Sequence, residues 1–375
     1  MKIVSFLLSL LAAAGILYPS AACADLVIVQ VAPMTGPVST AARDINAAAG
    51  AYFEKINAGG GINGERLRLI TRDDKYEPPL TMQQIRDAAA EDKPLALLYP
   101  FGTTHMVGVV KSGLLDQVRI PIIGARVGAV VKHPMLFRVR AQYRDEIERI
   151  VEQFSTMGYE RIGLIYQNDG LGKEGLDATV DAMARRNKAN NLVVKAAFPA
   201  NTTDVKAAVA EVAKAKVQGI IMVTNTVAAT AIVREVRQSD TTVQISAMSL
   251  VEGEKLQQAL GDKLTRGIWI SQIAPNPSNL GMPLVREARD LMQGYGPKDG
   301  KVNFSRLEGL LAAKVIVEGL KRAGPKPDRE KLYKALQTVR GYDTGGVMVD
   351  YSDTAREGVR YVDMSIISTS GKVLQ

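Results

Sequence analysis

The run Gly170-Leu171-Gly172-Lys173-Glu174-Gly175 has the spacing G-x-G-x-x-G. After a strand and ahead of a helix, such a run cradles a dinucleotide pyrophosphate. The strand expected over residues 161–166 and the helix over 175–186 supply that setting. Two features argue against the nucleotide. Gln167-Asn168-Asp169 separates the glycines from the strand, and no acidic residue closes the next strand, 192–198, to hold a ribose. Catalytic residues are few. The chain has two histidines, His105 and His133, far apart in sequence, and no G-x-S-x-G, H-E-x-x-H or EF-hand pattern. Asp73-Asp74 are paired acids that could do acid–base work, but capping a neighbouring loop is the simpler role. No cofactor is expected, and a secreted α/β enzyme stays an alternative. Gly102-Thr103-Thr104 offers small residues, hydroxyls and backbone N–H groups, which suit a carboxylate.

The elements that must position these residues alternate regularly. Leu26-Val27-Ile28-Val29-Gln30-Val31-Ala32 is β-branched and apolar, as in a buried strand. A turn, Pro33-Met34-Thr35-Gly36-Pro37, follows, and Ser39 or Thr40 is placed to cap the next helix. Ala42, Ile45, Ala49, Tyr52, Phe53 and Ile56 recur on one helical face. Asn57-Ala58-Gly59-Gly60-Gly61 stops that helix, and Leu67 to Arg72 form a second strand ending at Asp73-Asp74. Strand–helix alternation continues and restarts at Arg161, which predicts parallel sheets covered by helices, in two similar units.

At 375 residues the chain suits two domains. Residues 1–24 read as a cleaved secretory signal: Lys2, an apolar stretch from Ile3 to Leu17, then Ala22-Cys23-Ala24. An exported product meets little dinucleotide, a third argument against that cofactor. Cys23 is the only cysteine. Cleavage after Ala24 leaves no thiol chemistry; a lipid anchor at Cys23 is the alternative. The net charge of +8 falls to +7 without Lys2, but basic residues are interspersed with acids, so no nucleic acid partner is expected.

Two stretches carry a resemblance: the first strand–turn–helix–strand unit through Ile56-Asn57-Ala58-Gly59-Gly60-Gly61-Ile62-Asn63-Gly64 to Asp73-Asp74, and the helix from Phe304 to Gly324. The chain from Asp25 onward resembles the leucine/isoleucine/valine-binding proteins, the type I periplasmic binding proteins of ABC importers. The resemblance implies an α/β fold of two doubly wound parallel-sheet lobes joined by three hinge crossings, near Arg140-Ala141, Ile273-Ala274 and Met348-Val349. Lobe 1 would hold residues 25–140 and 274–348, and lobe 2 residues 141–273 and 349–375. A small amino acid or organic carboxylate would be captured between the lobes and passed to an inner-membrane permease by a monomeric carrier. A periplasmic sensor for a membrane receptor is a second reading.

The resemblance also implies ligand contacts. In lobe 1 these are Gly102, Thr103 and Thr104, then Arg126, Val127 and Gly128, both loops taking the ligand carboxylate. In lobe 2 they are Tyr166, Asp169, Leu171, Asn225, Thr226 and Ser249, and Phe304 closes one side. Departures from the pattern matter. Ser249 stands where branched-chain amino-acid binders hold the ammonium with an acid, Glu252 follows three residues later, and Ala41 replaces a common aromatic. A carboxylate without a strict need for an α-ammonium is therefore expected, because a buried ammonium needs an anionic partner.

Overall fold

The computed structural model describes residues 25–36, 38–128, 131–200, 202–352, 357–368 and 373–374. The signal expected over residues 1–24 lies outside them. The chain begins β1 (Leu26–Ala32), α1 (Ser39–Ala58), β2 (Leu67–Asp73), α2 (Pro78–Asp87), β3 (Ala96–Leu98), α3 (Thr103–Lys111), α4 (Leu114–Val118), β4 (Ile122–Ile123) and β5 (Leu136–Phe137). It then runs through α5 (Tyr143–Thr156), β6 (Ile162–Gln167), α6 (Gly170–Arg185), β7 (Leu192–Phe198), α7 (Lys206–Lys214), β8 (Gly219–Val223), α8 (Thr226–Ser239), β9 (Gln244–Ala247), α9 (Gly253–Leu260), α10 (Asp262–Thr265) and β10 (Trp269–Gln272). Helices α11 (Pro283–Tyr295), α12 (Phe304–Ala323) and α13 (Arg329–Leu336) follow, then β11 (Tyr342–Asp343), β12 (Met348–Val349), β13 (Asp363–Ile367) and β14 (Val373–Leu374).

Two large sheets result. The first, in the order β2-β1-β3-β4-β5, is entirely parallel. The second runs β14-β13-β10-β9-β8-β6-β7. Its strands from β10 to β7 are parallel, while β13 and β14 add antiparallel on one edge. A parallel sheet buries both faces, so its strands are apolar throughout. Accordingly β8, Gly-Ile-Ile-Met-Val, is buried at every position. Each sheet has two cores. On one face of the first sheet Ile28, Leu98 and Phe137 pack with Ile45 and Phe53 of α1 and Leu310, Leu311 and Ile316 of α12. On its other face Val29, Leu97 and Ile122 pack with Ile85, Met106 and Leu115. Gly309 lets α12 pass close to α1, since a Cβ there would lie 2.4 Å from the Ile45 carbonyl.

Local starts differ from the expected ones. No side chain caps α1; Val38 holds the cap position, and Ser39 is buried as the first helical residue. Helix α6 opens at Gly170, five residues earlier than its apolar pattern suggests, because Asp169 caps it. The chain passes between the sheets three times: from β5 to α5, from β10 to α11, and ahead of β13. Val349, Tyr351 and Val359 belong to the first core and Tyr361 packs against it, while β13 pairs with β10 of the second sheet. Tyr351 fixes this segment: its ring meets the edge of Phe137 at 5.2 Å, and its hydroxyl donates to the Arg138 carbonyl at 2.9 Å.

Candidate binding site

The C-terminal ends of β3 and β4 build the first rim of the cleft. Beyond β3, Phe101 bridges in parallel to Arg126. The Gly102 N–H donates to the Arg126 carbonyl at 3.0 Å. Gly102 precedes α3 with φ +94°, and a Cβ there would lie 2.2 Å from His105 Nδ1, so only glycine fits. Thr103 is buried, and its Oγ1 accepts the Gly128 N–H at 2.9 Å. The Gly102 and Gly128 amides of these two loops are thus engaged within the protein. Thr104 is exposed, and no side chain caps the helix it helps to start. Val127 turns away, into the core shared with α2, α3 and α4.

Arg126 is buried, not exposed at the rim. Its Nη2 donates to Ser305 Oγ at 2.9 Å and to Glu308 Oε1 at 2.6 Å, and its guanidinium lies 5.3 Å from the centre of the Phe101 ring. The Tyr99 hydroxyl donates to the other Glu308 oxygen. From the first passage, Arg140 Nη2 donates to Glu146 Oε1 at 3.0 Å and to Ser249 Oγ at 2.9 Å. Glu146 also accepts the Ser249 N–H at 2.8 Å and the Ser271 hydroxyl at 2.6 Å. Burial is the largest single influence and opposes the charge on both arginines, but Glu308 together with the other neighbouring groups, Glu146 foremost at Arg140, exceeds it, so both pKa values rise. Burial, then Glu308, pushes the Tyr99 phenol well above its ordinary value. Ser249 is therefore a bracket for Arg140 and Glu146.

The second rim caps its own helices. Tyr166 ends β6 half-buried. Asp169 accepts the Gly172 N–H at 3.0 Å and the Gln167 amide at 2.6 Å. A carboxylate already accepts from the first turn of α6, and its charge opposes an anionic group at that helix start. Leu171 is half-buried on the core of α5 and α6. Asn225 caps α8 by accepting the Ala228 N–H at 3.1 Å. Thr226 Oγ1 accepts the Glu252 N–H at 2.9 Å, while the Glu252 carboxylate pairs with Lys255 at 2.9 Å. Phe304, the first residue of α12, packs half-buried on the first core beside Ser305.

The rims touch. A Cβ at Gly170 would lie 3.6 Å from Thr103 and 3.7 Å from Thr104, and Gly128 packs against the Glu174 side chain. Asp73 and Asp74 shape the adjoining loop. Asp73 accepts the Met34 and Lys75 N–H groups at 2.9 Å each, and Asp74 accepts the Tyr76 N–H at 3.0 Å and the Thr81 hydroxyl at 2.7 Å. The Tyr76 ring stacks 4.4 Å from His105. Its phenol is pushed up to about 12, by burial first and then by Asp169 across the cleft. Thr103 and Thr104 thus face the start of α6 at Gly170, and Gly128 faces Glu174 of the same helix, while Arg126 turns toward Ser305 and Glu308. Asn225 and Thr226 line the end of β8, and Ser249 reaches the first passage. Sequence reasoning missed Tyr99, Arg140, Glu146 and Glu308. A signal existed: Glu308 interrupts the apolar run Leu307 to Leu311 of a buried helix, where an acid needs a basic partner.

A family model described as periplasmic binding protein matches residues 26–371. A substrate-binding periplasmic protein from Ralstonia solanacearum has a similar structure, with 34% identity and a TM-score of 0.87 over 94% of this chain and 100% of that one. The Leu/Ile/Val-binding protein homolog 3 of Brucella melitensis is 23% identical over 360 residues, 91% of each chain. An amino acid binding protein of Pseudomonas aeruginosa is 27% identical over 163 residues, 42% of this chain and 43% of that one. Among the described residues no helix is long and apolar enough to cross a membrane. The chain belongs to the periplasmic binding protein family.

Proposed function

We propose that this protein is exported, captures a small carboxylate or amino acid between its lobes by hinge closure, and delivers it to the permease of an ABC importer. It would act as a monomeric carrier without catalysis. The hinges would be residues 138–141, 273–274 and 360–362, with residues 25–140 and 274–359 in one lobe. The observation that carries the reading is the meeting of α3 and α6 across the cleft, where Gly170 lies against Thr103 and Thr104. A ligand touching both lobes favours such a closed state by its differential affinity.

The acids near the cleft favour a carboxylate over an α-amino acid. Asp169 caps α6, Glu252 pairs with Lys255, and Ser249 has no charge, so none of the three is left for a buried ammonium. Calorimetric titration with leucine and its des-amino analogue 4-methylpentanoate tests this. Binding of the des-amino acid, with a smaller radius of gyration in solution scattering, is the expected result. Tight leucine binding with no response to any des-amino acid would overturn it.

A further inference from the structure

We propose that the acid group of the ligand rests on the guanidiniums of Arg126 and Arg140, on either side of Glu308, and not on the loop amides of Gly102 and Gly128. This rests on the reading of the cleft as the binding site. The two amides already donate to the Arg126 carbonyl and to Thr103. The arginines hold the opposite surplus. Arg126 Nε and Arg140 Nε and Nη1 are buried with no acceptor in hydrogen-bond range. The nearest carboxylate oxygen to Arg140 Nη1, on Glu308, is 3.9 Å away. Buried donors on charged groups are rarely left unmade, because the desolvation cost is then uncompensated.

The setting specifies what fills the gap. Two arginines face two glutamates, Glu308 and Glu146, so a group of high charge would upset the balance. A planar, singly charged carboxylate matches a guanidinium edge and supplies two acceptors at once. Glu308 is the positioning residue. One oxygen fixes Arg126, and the other takes the Tyr99 hydroxyl and faces Arg140. The Phe101 and Tyr143 rings lie 5.3 and 5.4 Å from the guanidinium carbons and hold their planes. Because Arg140 also holds Glu146 and Ser249 of the second lobe, an acid group here would join both lobes through one side chain.

NMR of isotope-labelled arginine side chains tests the assignment, with acetate and its neutral analogue acetamide as probes. Acetate alone should shift two Nε–H signals, those lost in Arg126→Lys and Arg140→Lys. Each variant keeps the buried charge but loses the fork, and should weaken acetate binding roughly tenfold or more. Equal response to acetate and acetamide, or no response of either signal, would overturn the proposal, with water filling the donors. An acetate shift confined to the Thr104 amide would also overturn it, while leaving the cleft reading intact. Failure of the cleft reading looks different: acetate would move signals on neither rim. Should one variant fail to fold, the wild-type Nε–H shifts decide.

Discussion

On the first rim, polar side chains bond across elements distant in sequence: Arg126 with Ser305 and Glu308, Tyr99 with Glu308, Thr103 with Gly128. On the second rim, Asp169 and Asn225 each satisfy the helix that they begin. The first arrangement is buried and depends on α12 being docked. The second is local and half-exposed. A local cap sets the shape of a loop at little risk, whereas a buried ionic cluster ties separate elements together and leaves a costly charge when any member is lost. The first rim is thus built as an anchor and the second as a preformed cover.

Three variants break or sharpen this contrast. Glu308→Ala should have the largest effect, about 3–5 kcal/mol of stability, because it leaves the buried charge of Arg126 without its carboxylate. Urea unfolding measures it, and a loss below about 1 kcal/mol would mean that the cluster is not an anchor. Gly128→Ala should come next. Its Cβ would lie 1.5 Å from a Glu174 oxygen, so closure should cost about 1–3 kcal/mol, read as weaker binding and less compaction with ligand. The unfolding midpoint of the unliganded protein should barely move, because the clash exists only when the rims meet. Asp169→Ala should cost least, about 1 kcal/mol for a lost cap, with the first lobe undisturbed. Hydrogen exchange confined to the start of α6 would match that expectation, whereas a change spreading to α12 would erase the difference between the rims.

Much of the architecture was legible because it is periodic. The β-branched run of β1, the apolar face of α1 and the glycines that follow it are local signals, and the structure reproduces them. The acid pair was legible too, since Asp73 and Asp74 hold neighbouring backbone groups. The place of the short hairpin β11–β12 was not: it looks like any terminal strand pair, and only the packing of Val347, Val349 and the following Tyr351 assigns it to the first core. The start of α6 was missed because capping by Asp169 outweighed the glycine content of Gly170-Leu171-Gly172.

By itself, the sequence determined alternation, and with it two parallel sheets, their helical cover and the loops at strand ends where a ligand could lie. Those properties follow from the hydrophobic pattern and from turn chemistry, which act over a few residues. Tertiary structure alone decided which polar groups remain available. Arg126 meets Glu308 across 182 positions of sequence, and Arg140 meets Ser249 across 109. Hydrogen-bonding capacity is finite, so a donor engaged by a distant residue is lost to a ligand, and no local pattern records that engagement.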